Sequence, residues 1–187
     1  MLGNIPEDVV LCICDFETTG VDTAKDHPIE VGCVLVDNDL KALGEYSALL
    51  RDAALAQHTN LRPGRAEWND RAAEGAGFHK IPYAEVRRAG VAWANATCAI
   101  SALCNRFRPE GGRVVLCSDN VQFEWHYMQV LYRAAALLWP FHYCGWDTSL
   151  LFEMTGTPEK PMAHRALPDA YLILETIREA RGTLRGL

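Results

Sequence analysis

The sequence predicts one α/β domain over residues 1–187, a mixed five-stranded sheet flanked by helices. One observation is the apolar run Val9-Val10-Leu11-Cys12-Ile13-Cys14, which reads as a strand buried on both faces. Another is that two further strand-like segments follow it with short links, the pattern of an antiparallel meander. The last is that helix and strand alternate only in the second half, so the later strands are expected to be parallel. The order is βββαβαβα.

The first strand covers residues 9–14, and residues 22–27 form a polar turn. The second strand covers 28–36, with Ile29, Val31, Cys33 and Leu35 on one face. Asp37-Asn38-Asp39 signals a hairpin turn, and the third strand runs over 40–50. From 51 to 90 the periodicity weakens, broken by Pro63-Gly64, Gly75, Gly77 and Pro82. An irregular stretch of that length in a compact domain is often functional. Residues 91–107 read as a helix, with Trp93, Thr97, Ile100 and Cys104 spaced for one buried side. Pro109-Glu110-Gly111-Gly112 ends it, and 114–117 is a short buried strand. Ser118-Asp119-Asn120 supplies N-cap residue types for a helix over 121–138, which Pro140 stops. A fifth strand is expected at 141–144, a short helix at 149–154, and a loop with two prolines at 156–163. The last helix covers 167–181, with Gly182 as its C-cap.

Composition sets bounds on function. Nearly half of the 187 residues are hydrophobic, yet no run is long enough for a membrane-spanning helix. The first eight residues carry no basic stretch, so no secretory signal is expected. Seven cysteines without a Cys-x-x-Cys pair argue for buried reduced thiols rather than zinc, and so for a reducing cytoplasm. A net charge of −6 argues against a broad basic surface for long duplex nucleic acid. It leaves room for an anionic substrate held through metal ions, which invert the local sign.

Asp15-Phe16-Glu17-Thr18-Thr19-Gly20 follows the first apolar run. Asp15 and Glu17 lie two apart on a strand and project to one side, while Phe16 points to the other. The Thr-Thr-Gly after them is turn chemistry, with Gly20 free to take a positive φ. Two adjacent carboxylates repel each other unless a cation sits between them, and hard divalent cations take oxygen ligands of this kind. Taken alone, Asp-x-Glu is more simply a pair of solvated acids. Glu124 falls one turn into the helix after the 114–117 strand, facing the strand end. Alone it reads as a surface acid favoured by the helix N-terminus. His164 and Asp169 would stand ~140° apart on one continuous helix and could not share a site. The loop-like Pro161-Met162-Ala163 and the position of Pro168 resolve this: His164 sits on the loop and Asp169 in the first helical turn.

Asp15-Phe16-Glu17-Thr18-Thr19-Gly20, Asn120-Val121-Gln122-Phe123-Glu124 and His164-Arg165-Ala166-Leu167-Pro168-Asp169-Ala170 occur in this order on these elements. Together they resemble the three motifs of the DEDDh class of 3′–5′ exonucleases in the DnaQ-like superfamily. That class includes proofreading subunits of bacterial DNA polymerases, ribonuclease T and oligoribonuclease. Phe78-His79-Lys80-Ile81-Pro82 and Trp146-Asp147-Thr148 are similar to further landmarks of the class, so the resemblance covers nearly the whole chain. It implies a ribonuclease H-like fold and two Mg²⁺ or Mn²⁺ ions, with Asp15, Glu17, Glu124 and Asp169 as their ligands. It implies His164 as general base. Thr18, Thr19, Gly20, His79 and Asn120 would be substrate contacts, and Trp68 and Phe78 further candidates for a nucleobase. The departure is Glu124, where the family has Asp; Asp119 is the fallback ligand. The implied reaction removes nucleoside 5′-monophosphates from the 3′ end of single-stranded DNA, RNA or short oligonucleotides. An imidazole of ordinary pKa near ~6.5 can serve as base at neutral pH. Phe141-His142-Tyr143 followed by Trp146-Asp147-Thr148 is similar to a stretch of oligoribonucleases, which are homodimers, and tilts the expectation toward short RNA and a dimer.

Two other classes of function compete. A metal phosphodiesterase of small nucleotides fits the acidic charge. A catalytically degenerate nucleic-acid-binding module would account for the Glu124 departure.

Overall fold

The computed structural model describes residues 5–23, 26–51, 81–158 and 160–185. The strands are β1 (Val9–Thr18), β2 (Pro28–Val36), β3 (Ala42–Arg51), β4 (Val91–Ala92), β5 (Arg113–Ser118) and β6 (Trp146–Asp147). The described helices are α1 (Tyr83–Ala89), α2 (Trp93–Phe107), α3 (Val121–Ala135), α4 (Ser149–Thr155) and α5 (Ala166–Arg185). They build a six-stranded mixed sheet in the order β4-β3-β2-β1-β5-β6. The meander β1-β2-β3 is antiparallel, and β5 and β6 add in parallel on the other side of β1. The α/β class and the mixed sheet with flanking helices are as the sequence predicts.

The central strands are buried on both faces, which is why their sequences are apolar without alternation. Val10, Cys12, Cys14 and Phe16 of β1 pack with α2 and α3 residues such as Ile100, Cys104, Tyr127 and Leu131. Val9, Leu11 and Ile13 pack on the opposite face with α4 and α5 residues such as Phe152, Ile173, Leu174 and Ile177. Asp15 and Glu17 continue this second row, so the strand period aims both at the side where α5 begins.

Several expectations change. Residues 141–144 do not form a strand; Phe141 makes a single bridge to Val114, and the edge strand is Trp146–Asp147. Tyr132, Trp139 and Phe141 stack edge-on in an aromatic cluster instead. Val91–Ala92 extends β3's edge before the helix starts at Trp93. The α3 helix stops at Ala135, where Ala136 turns left-handed at φ 52, well before Pro140. Gly182 lies inside α5 and caps nothing. Trp68, Phe78 and His79 lie outside the described residues.

Candidate active site

The first motif occupies the end of β1, where a register irregularity between Glu17 and Thr18 bends the pairing with β2. The turn beyond it is fastened by the side chains of Thr18, Thr19 and Asp26. Asp26 accepts hydrogen bonds from the Thr19 hydroxyl at 2.9 Å and the Asp22 amide at 2.8 Å. A Cβ on Gly20 would push that carboxylate aside, and Gly20 does not adopt a positive φ.

Asp169 stands in the first turn of α5, and His164 lies on the loop before it. Both oxygens of Asp169 fold that loop back: Oδ1 accepts the Ala163 amide at 2.7 Å and Oδ2 the Arg165 amide at 3.0 Å. His164, between them, is held left-handed at φ 57. This is the arrangement the helix geometry demanded, and it keeps the imidazole off the helix. The helix start can approach β1 because Gly32 lies beneath it; a Cβ there would penetrate the backbone of Ala166 and Leu167. Gly32 is the β2 partner of Asp15.

As a result, Asp15, Glu17 and Asp169 each offer an oxygen within 4.8 Å of the others. Glu124 reaches the same strand end from α3, in the opposite layer. It is 3% exposed, and its Oε2 has no hydrogen-bond partner among the described residues. Its carboxylate lies outside the group of three, yet among the charges acting on Asp15 it is the largest, ahead of Glu17, Asp169 and Asp119. Asp119 is less buried and accepts from the Ser118 hydroxyl at 3.2 Å. Asn120 is exposed at the N-cap of α3, but its side chain makes no capping bond. Asp147 serves there, accepting the Val121 amide at 3.2 Å.

Electrostatics sets these acids apart. Asp15 is largely enclosed, and burial first, then Glu124, Glu17 and Asp169, pushes it well above the usual carboxylate range. Burial, then the charges of Asp169 and Glu30, raises Glu17 to about 8. Burial, with Asp119 and Asp147 adding, raises Glu124 to about 8. The folded chain therefore holds protons on these acids where the unfolded chain, with Glu near ~4.3, has lost them. More protons in the folded state means that stability falls as pH rises, from about pH 4.5 through about 8. Thermal melts in chelator should show Tm dropping across that window, and dropping less in a Glu17→Gln/Glu124→Gln variant. Equal slopes for the two proteins would contradict the assignment of buried, mutually repelling acids.

The donor set suits a hard divalent cation. All the groups are carboxylate oxygens, they repel one another, and one buried oxygen lacks a partner. Sequence reasoning missed two contributors. Glu30, the lone charge inside the otherwise apolar β2, is the cross-strand partner of Glu17 and bonds Arg165. A lone acid in a two-sided buried strand was the signal for it. Gly32 in the same strand was the signal for the close helix.

Comparison with known proteins fits this site. A family model described as Exonuclease matches residues 12–82, from β1 into the first residues of the 81–158 block. The chain is 28% identical over 178 residues to the oligoribonuclease of Pseudomonas aeruginosa, covering 91% of this chain and 89% of that protein. It is 28% identical over an alignment of 207 positions to the oligoribonuclease of Xylella fastidiosa, covering 100% and 98%. Among solved structures, E. coli exonuclease I in complex with an oligonucleotide superposes with a TM-score of 0.67 at 15% identity, over 95% of this chain. The chain spans 42% of exonuclease I, so that likeness establishes the fold alone.

Proposed function

We propose that this chain is a 3′–5′ exonuclease of the DEDDh type and acts as an oligoribonuclease-like enzyme that trims short single strands, RNA in particular, to nucleoside 5′-monophosphates. The observation that carries the reading is the meeting of three carboxylates from β1 and α5 within 4.8 Å, with the charge of the buried Glu124 acting on Asp15. Asp15, Glu17, Asp169 and Glu124 would hold two divalent cations of the Mg²⁺ or Mn²⁺ class. When bound, such cations neutralise charge on a phosphodiester and lower the pKa of water. Glu124 ranks above Asp119 as the second-motif ligand because it is the more buried and acts more strongly on Asp15.

The chain's other groups supply position and proton transfer. His164, projected from its own loop, takes a proton from the attacking water as general base. Thr18, Thr19 and Gly20 form a rigid wall at the end of β1, fastened by Asp26, against which a terminal nucleotide with its free 3′-hydroxyl fits. Asn120, exposed at the head of α3 and making no capping bond with its side chain, offers its amide to the same strand. His79 is a further proposed contact. The assembly is proposed as a homodimer through the surface around Leu138 and Tyr143, which are 93% and 81% exposed.

The test is a panel of 5′-labelled single-stranded RNA and DNA oligomers of several lengths, with Mg²⁺ or Mn²⁺. Stepwise shortening from the 3′ end is expected, fastest on the shortest RNAs and blocked by a 3′-phosphate. Cutting of a circular strand at a comparable rate would overturn the polarity. Activity confined to cyclic or dinucleotide substrates would favour a small-nucleotide phosphodiesterase instead.

A further inference from the structure

Arg165 sits between His164 and the first residue of α5, and its charge acts on Glu17 of the acid cluster. Its Nε and Nη2 grip both oxygens of Glu30, with the three contacts at 3.1, 3.1 and 2.8 Å. Glu30 also accepts the Ala166 amide at 2.9 Å. The Glu30 side chain is 4% exposed, so the carboxylate is a fixed anchor near the start of β2. The Arg165 side chain is 45% exposed. The guanidinium carries five N–H donors in a planar fork. The grip occupies the Nε–Nη2 edge and leaves Nη1 without a partner among the described residues.

The position matters as much as the geometry. Glu30 is the direct partner of Glu17 across β1 and β2, so the gripped cation stands beside a site acid. Glu17 and Glu85 are the other acids that act on it. A polyanionic strand must approach a cluster of four acids on a chain of net charge −6. A cation fixed at the edge of that cluster offsets the repulsion at the point of entry. A buried acid needs a partner, but that need alone would be met by a covered side chain. It does not account for a guanidinium anchored on one edge and left open on the other.

We propose that Arg165 is a substrate-binding residue, whose guanidinium, fixed by Glu30, takes the non-bridging oxygens of a backbone phosphate of the strand entering the acid cluster. The proposal rests on the exonuclease reading above. A guanidinium fork matches phosphate geometry, and such a contact positions a strand without reading its bases.

The decisive experiment compares the native chain with a Glu30→Gln/Arg165→Gln double variant, which removes both charges and strands neither in the interior. Initial rates on a short single-stranded RNA, with Mn²⁺, give kcat and KM over a range of salt. The variant should raise KM about tenfold, with a smaller change in kcat. Loss of one phosphate contact should also flatten the dependence of log(kcat/KM) on log salt by ~0.7. A variant with native KM and native salt slope overturns the proposal, and so does one that only melts earlier. If the double variant does not fold, Arg165→Lys replaces it. That change keeps the charge and loses the fork, so KM should rise with the salt slope unchanged; a native KM then overturns the proposal. A native chain that hydrolyses no strand with any divalent cation sinks the exonuclease reading itself, a result separate from failure of the variants alone.

Discussion

Asp15→Asn should abolish hydrolysis and, in chelator, raise the melting temperature. The two effects have one cause. Asp15 is held well above its ordinary pKa by burial and by the charges of Glu124, Glu17 and Asp169. An amide of the same shape removes that repulsion but brings no anionic oxygen to a cation. The rate should fall by at least ~10²–10³-fold, the scale for losing one preorganised electrostatic contact. For a chain of this size, each kcal/mol of relieved repulsion raises Tm by about 2–4 °C. Glu17→Gln should behave alike, because the same burial and the charges of Asp169 and Glu30 raise Glu17 to about 8. Added Mn²⁺ should then stabilise the native chain more than either variant. Near-normal turnover by either variant at saturating metal would remove these residues from the site. The same assay ranks the second-motif acid: Glu124→Gln should be crippled and Asp119→Asn should stay active. The reverse order would transfer the role to Asp119.

Much of the site was legible because short-range geometry fixes it. A strand repeats every two residues, so Asp15 and Glu17 had to share a side, and Phe16 had to face the other way, where its ring lies 6.1 Å from that of Tyr127. The 140° mismatch between His164 and Asp169 on a helix forced the imidazole onto a loop, and the chain achieves this with Asp169 accepting both flanking amides. What could not be read depended on contacts between distant segments. Glu30 and Arg165 are 135 positions apart, and nothing in either segment alone names the partner. The Gly32 approach depends on where α5 docks. The expected strand at 141–144 failed for a related reason. Its aromatic residues had β propensity, but packing with Tyr132 and Trp139 claimed Phe141, Tyr143 stayed exposed, and the edge position passed to Trp146–Asp147. The N-cap position was legible, at Asn120, but the side chain that bonds the first helical amide comes from Asp147 on the edge strand.

His164→Ala should lose roughly 10²–10⁴ in rate, the usual worth of a positioned general base, with little change in metal affinity. The structure explains why the loss should appear in turnover and not in folding. His164 is half-buried, and its side chain makes no hydrogen bond in the described residues, while the backbone around it is pinned by Asp169 and, through Ala166, by Glu30. Its left-handed φ of 57 persists because those three anchored amides over-determine the loop. Alanine meets the same backbone demand as histidine, so the loop should keep its shape and Tm should move by only a few degrees. A packed loop histidine makes the opposite forecast: its removal lowers Tm and leaves turnover per folded molecule intact. Measuring the melting curve and the single-turnover rate of one variant separates the two. A stable His164→Ala protein with full activity would take the histidine out of the mechanism, leaving the acid cluster to act with some other proton acceptor.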